Sequence, residues 1–300
     1  MNKTKYYNEY LFGLIIFSLI VQTIFAYALN HVKIFYLSLI IPQATLLLCI
    51  LFIFFIFKEL KISESIKFKY INFFDIIMIV LLSIFIIPIV NIIGLVSQLA
   101  FKNEINDIVT NLITTYPFPV TFFLIAIVPA IVEEICFRGV TFSILKKTNT
   151  LQAILISALT FGLVHLNFNQ FLYAFVIGII FAILVLITDS LIYPMIIHCF
   201  INGTSITLQY TLLKHSSETG SMGANDIKSL ITPTLILVFF ISLIIECALI
   251  YFLSVKYNST NKLKNLFKKE NNKNNISSFT LIAFILICLS VMIRIQYFKN

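Results

Sequence analysis

The sequence predicts an all-α fold, a polytopic membrane helix bundle of eight to nine transmembrane helices. Three observations carry this prediction. The 300 residues are 60% hydrophobic and only 11% charged, where soluble domains run at about 45–50% apolar and about 25% charged. Apolar stretches of about 20 residues, the length needed to cross a bilayer, recur along the whole chain. The basic residues gather in alternate breaks between those stretches, which is the signature of membrane topology.

Nine stretches qualify: 11–29, 34–57, 74–100, 117–145, 151–168, 170–188, 191–213, 230–254 and 277–297. Lys3 and Lys5 ahead of the run from Leu11 also fit a secretory signal, with Ala26-Tyr27-Ala28 imitating its cleavage site. The length of Leu11–Leu29 favours an uncleaved first span. Pro42-Gln43 interrupts the second stretch, a break that neighbouring helices must satisfy. Lys58–Phe73 is a lysine-bearing linker. Asp75 opens the third stretch as an expected N-cap, and Asn91 and Gly94 inside it mark an expected packing contact. Phe101–Tyr116 reads as a surface or interfacial helix. Asn167, Asn169 and Gln170 separate the fifth and sixth stretches. Thr188-Asp189-Ser190 is a tight turn, with Asp189 or Ser190 as the next N-cap. His31 and His215 fall in loops. Lys214–Ser229 is a polar loop with Gly220, Gly223 and Asn225, and 255–276 is a polar cytoplasmic linker before the last helix.

Loops on the N-terminal side hold 14 basic residues and loops on the opposite side hold 6, with Arg138 inside the membrane. The bias places the N-terminus in the cytoplasm. It also accounts for the net charge of +8 as topology, so no nucleic-acid partner is expected. The Lys- and Asn-rich, Trp-free composition points to an AT-rich bacterial genome, and hence to a bacterial plasma membrane. The five cysteines form no CxxC pair and read as small buried hydrophobes.

The fourth stretch contains Val132-Glu133-Glu134-Ile135-Cys136-Phe137-Arg138. Each charge at a helix centre costs roughly 2.5–3.5 kcal/mol even on lenient insertion scales. Three other polar groups lie at similar depth. At 1.5 Å rise per residue, Glu133 is roughly 20 Å from the end at Lys146, and His165 roughly 21 Å from Leu151. His198 and Asn202 are roughly 12 and 18 Å from Ser190. Glu134 and Arg138, at i and i+4, share a helix face and should pair, while Glu133 points about 100° away, free for another partner. His198 shares a face with Asn202, and Phe161 with His165, which sets an aromatic wall beside the imidazole.

Two carboxylates against one guanidinium leave one negative charge for a proton, an imidazolium or a metal. Glu133 and His165 therefore read as a pair that activates water, with His198 and Asn202 donating to an oxyanion. The rival arrangement holds zinc on Glu133, His165 and His198, with water in the fourth position. Each group has a structural reading as interhelical glue or buried bridge, and Glu246, in the eighth stretch, reads as accessory or structural. The conjunction favours chemistry.

These residues resemble a known family, the CAAX protease and bacteriocin-processing (CPBP, or Abi) proteins. Glu133-Glu134…Arg138 matches its EExxxR motif, Phe161…His165 its FxxxH, and His198…Asn202 its HxxxN, preceded by Ser190 and Pro194. The resemblance spans about 117–210, the catalytic core of a single transmembrane domain over 1–300. It implies an intramembrane endopeptidase acting near the terminus of a membrane-associated peptide or protein substrate, of CAAX type or in peptide or bacteriocin processing. By residue, it implies Glu133 and His165 at the water, His198 and Asn202 at the oxyanion, and Glu134 and Arg138 as support. The family carries a metalloprotease label, and a metal-free glutamate mechanism is argued for it too, so a divalent metal such as zinc stays open. A non-catalytic immunity or scaffold protein that retains the motif is the alternative function. A proton-coupled transporter is a third, disfavoured because no inverted repeat is evident.

Overall fold

A computed structural model describes residues 3–29, 37–101, 105–215, 232–266, 268, 276 and 278–298. His31, Gly220, Gly223, Asn225 and most of 267–277 lie outside the described residues. Those described form helices, with no strand among them. In chain order they are α1 (Lys3–Leu29), α2 (Leu37–Ile56), α3 (Ile62–Ser65), α4 (Phe73–Gln98) and α5 (Ile105–Thr115). Then follow α6 (Phe118–Leu145), α7 (Thr150–Leu163), α8 (Phe168–Thr188), α9 (Ile192–His215), α10 (Pro233–Lys256), α11 (Thr260–Asn265) and α12 (Phe279–Phe298).

Each of the nine apolar stretches is a helix, and seven of these helices are long and apolar enough to cross a membrane. The chain is an integral membrane protein. The two others differ for separate reasons. α7 has 14 residues, roughly 21 Å against a hydrocarbon core of about 30 Å. α9 has 24 residues, but its C-terminal half carries Thr204, Ser205, Thr207, Gln209 and Thr211. The short α7 ends at Leu163, and His165 lies in the turn that follows.

One end of the bundle is tied by polar contacts between helix ends and the segments that join them. Tyr7 donates to Glu59 at 2.8 Å, and Lys262 donates to the Leu186 carbonyl at 2.9 Å. The expected linker 255–276 thus contains the helix α11, docked on the end of α8. Between α2 and α4 the chain runs extended across the α8–α9 turn. Lys67 and Lys69 pair with Asp189 at 3.0 and 3.1 Å, and Leu191 N–H bonds the Lys67 carbonyl at 2.9 Å. Ser190 Oγ accepts from Lys69 N–H at 3.1 Å and from Ile192 N–H at 3.3 Å; it lies one residue before the N-cap position, Leu191, and serves the first helical N–H of α9 from there. At the opposite end, Phe101 stacks on Phe168 with centroids 4.9 Å apart. Near Tyr7, at the first end, Glu9 inside α1 caps α12 by accepting from the Phe279 and Thr280 N–H groups at 2.9 and 3.0 Å.

Two expectations for α4 change. Asn72 is the N-cap and Asp75 is the third helical residue of a full capping box. Asn91 is exposed and a Cβ at Gly94 would meet nothing within 4 Å, so neither makes the expected contact. A close approach occurs at Gly178 instead, where a Cβ would sit 2.8 Å from Ala158 Cα. That glycine lets α8 lie tightly along α7, the helix that leads to His165.

Burial pushes the Asp189 carboxyl up, but hydrogen bonds from Lys67 and Lys69 outweigh it and hold the group below its ordinary range. A carboxyl with a lowered folded pKa stabilises above its unfolded pKa, and the effect is lost as pH falls through the folded one. Asp189→Asn is expected to cost roughly 0.2–1 kcal/mol per ion pair at neutral pH. The deficit in melting temperature against wild type should begin to shrink below about pH 4 and vanish only once pH falls below the lowered folded pKa, and a deficit unchanged in acid contradicts the clamp.

Candidate active site

α6 is irregular where its functional residues sit. Its central α-helical turns, Val128–Glu134, are flanked by π-helical segments at Phe123–Ile127 and Ile135–Phe142. Such segments recur at functional sites. Lipid would not satisfy the displaced carbonyls, and hydroxyls do so here. Thr141 donates to the Cys136 carbonyl at 2.9 Å, and Ser157 of α7 donates to the Phe137 carbonyl at 2.8 Å. Pro129 has no N–H to offer the Ile125 carbonyl four residues earlier, and Asn202 Nδ2 donates to that oxygen at 3.2 Å.

The carboxylates on this segment occupy different environments. Glu134 is 0% exposed. Its Oε1 accepts from Arg138 Nη1 at 3.1 Å and from His198 Nδ1 at 2.9 Å. The guanidinium, also fully buried, lies under the Phe161 ring at 4.2 Å and near Phe181 at 5.3 Å, an arrangement of cation–π type. Glu133 is 8% exposed. Its Oε1 accepts from Gln43 Nε2 at 2.8 Å, and its Oε2 lies 3.8 Å from His198 Nε2. His198 thus stands between both carboxylates. The 3.8 Å gap is too long for a direct hydrogen bond and short enough to share a proton through a bound water.

His165 follows α7 in a turn fixed by Leu166, at φ 52°, and by Asn167, whose side chain caps α8 by accepting from Asn169 and Gln170 N–H groups. A left-handed leucine is costly and persists only where its surroundings impose it. His165 Nδ1 donates to the Phe161 carbonyl at 2.8 Å, because a carbonyl can only accept. In the neutral ring that fixes the tautomer and leaves Nε2 as an acceptor. Phe161 touches nearly every part of the site, with its ring 5.2 Å from His165, 5.9 Å from His198 and 5.3 Å from Phe137.

The predicted Glu134–Arg138 pair, the Phe161–His165 wall and the approach of His198 are therefore present. His198, rather than His165, makes the contacts with the carboxylates. Asn202 spends one amide hydrogen on the backbone of α6. Glu246 lies on α10, 1% exposed, and neither oxygen has a hydrogen-bond partner among the described residues. Gln43 belongs to the site and was not anticipated, although a lone amide beside Pro42 in an apolar stretch is the signal that marks it. Among the described residues no three His, Cys, Asp or Glu side chains converge to hold a metal ion.

Comparison with known proteins falls on the same segment. Residues 115–204 match the family model of type II CAAX prenyl endopeptidase, Rce1-like. A protein of Bacillus subtilis (strain 168), provisionally described as a membrane peptidase (YdiL), is 33% identical over 101 residues, covering 33% of this chain and 41% of that one. The chain thus spans about two fifths of the length of the curated relative it matches. No solved structure matches it.

Removing the Asn202 amide should leave the Ile125 carbonyl unpaired at a cost of about 1–3 kcal/mol. Pro129→Ala supplies an N–H four residues on, so it should recover part of the stability that Asn202→Ala loses, as read by thermal denaturation in detergent. Additive losses in the double variant contradict this pairing.

Proposed function

From the match of residues 115–204 to the family model of type II CAAX prenyl endopeptidase, Rce1-like, we propose that the chain is a member of that family and an intramembrane endopeptidase. Its substrate is a membrane-associated peptide or protein, cut near a terminus, of CAAX type or in peptide or bacteriocin processing. The observation that carries this reading is Glu133, the one of the two carboxylates with any access to solvent, oriented by Gln43 at 2.8 Å and facing His198 at 3.8 Å.

In the proposed reaction, Glu133 and the free Nε2 of His165 hold a water. Glu133 takes one proton as the water oxygen bonds the scissile carbonyl carbon. The oxyanion is stabilised by His198 and by the Asn202 N–H that Ile125 does not take. Collapse breaks the C–N bond, and the proton on Glu133 passes to the leaving nitrogen. The charges balance when the one extra proton sits on His198, which leaves Glu133 an unprotonated base, opposite Glu134 and Arg138. The lysine bias of the loops supports a cytoplasmic N-terminus, and the composition supports a bacterial plasma membrane.

The test is cleavage of a fluorogenic peptide library by the detergent-solubilised protein, with and without a chelator. Glu133→Gln and His165→Ala should each lose on the order of 100- to 10,000-fold, the range for general acid–base groups, and chelation should leave the wild type unaffected. Loss on chelation with recovery on zinc replaces the water mechanism by a metal one. Undiminished cleavage by both variants removes the site assignment, and a biological role that survives Glu133→Gln replaces the protease by a scaffold.

A further inference from the structure

Asp75 lies outside the matched segment, in the first turn of α4, and is 1% exposed. A capping box needs one of its oxygens, and Oδ2 fills that role by accepting from Asn72 N–H at 2.9 Å. The other oxygen draws three more donors. Oδ1 accepts from Tyr257 OH at 3.0 Å, from Tyr193 OH and from Lys256 Nζ. Lys256 also reaches Asn72 Oδ1 at 3.2 Å. One carboxylate thus joins α4, the end of α10 and the start of α9. Tyr193 is the α9 member, and it is fully buried.

We propose that Asp75 is a positioning residue for His198 and acts through Tyr193. The inference rests on the reading that His198 belongs to the reaction centre. Tyr193 and His198 are five residues apart on α9, roughly 7.5 Å along the axis. The α9 start is also held by Leu191 N–H on the Lys67 carbonyl and by Ser190 Oγ on Lys69 N–H. Those bonds fix where the helix begins. A phenol hydroxyl at the rim of the helix fixes how it is rotated. Side chains end roughly 6 Å from a helix axis, so a rotation of about 10° moves the His198 ring by roughly 1 Å. That is enough to break the 2.9 Å bond to Glu134 and to change the 3.8 Å gap to Glu133. A 1 Å misplacement of a reacting group costs on the order of 100-fold in rate.

The experiment uses the full chain in detergent, with Asp75→Asn, Tyr193→Phe, Lys256→Met and the Asp75→Asn/Tyr193→Phe double variant. The first readout needs no turnover. Ring-13C-histidine signals, assigned by single His→Gln variants, report the setting of His198 and His165. Tyr193→Phe and Asp75→Asn should displace the His198 signal and leave His165 in place, and the double variant should displace it no further than Asp75→Asn. Lys256→Met should lower the melting temperature with the His198 signal unmoved. On a peptide that the wild type cleaves, kcat should fall on the order of 10- to 100-fold with KM within about twofold. An unmoved His198 signal in folded Tyr193→Phe, or an equal displacement in Lys256→Met, overturns the proposal. Because the signal is read without substrate, a failed protease assay does not mask either result.

Discussion

The buried ion pair of Glu134 and Arg138 is the interaction on which the rest of this structure depends. Both side chains have no exposure, in a helix long and apolar enough to span a bilayer. Taking two charges out of water costs several kcal/mol for each ion. A single 3.1 Å contact repays that only with help. Phe161 and Phe181 face the guanidinium, and His198 adds a second hydrogen bond to the same Glu134 oxygen. The pair fixes the carboxylate, the carboxylate fixes the imidazole, and the imidazole faces Glu133. One electrostatic constraint thereby sets the geometry of a group four residues from Arg138 in sequence and of another 64 residues from Glu134.

The backbone around this pair departs from α-helical regularity on both sides. Irregular backbone at membrane depth is tolerated where protein covers it, and here the Ile125, Cys136 and Phe137 carbonyls each meet a side-chain donor. Asn202 serves the oxygen that Pro129 cannot reach, and Ser157 serves another from the neighbouring helix. These bonds run between α6 and the two helices that carry His165 and His198. The irregularity that would weaken a lone helix becomes the means of fixing three helices against each other.

Much of this was legible in the sequence because it is local. Hydropathy located all nine helices, and i, i+4 spacing gave the Glu134–Arg138 and Phe161–His165 relations. What was not legible depends on contacts between distant residues. Gln43 reaches Glu133 across 90 residues, and Glu9 caps a helix 270 residues away. Neither has a spacing to read. Asp75 illustrates the middle case, since its position near a helix start suggests capping but not its bonds to Tyr193, Tyr257 and Lys256. His165 shows the limit of helical-wheel reasoning. Its face was predictable, but the helix ends at Leu163, and the turn beyond it directs Nδ1 back to Phe161.

The account is tested most directly by a stability cycle on the central pair. Removing one partner of a buried pair leaves an uncompensated charge, at a typical cost of about 3–5 kcal/mol. Replacing both by apolar residues removes the cause. Thermal and chemical denaturation of Arg138→Met, Glu134→Leu and the double variant would measure this. The account predicts that each single variant is severely destabilised and that the double variant recovers most of the loss. It also predicts that the double variant leaves His198 without its carboxylate anchor, visible as a displaced histidine signal. Single variants as stable as the wild type, or a double variant whose loss is the simple sum, would contradict it.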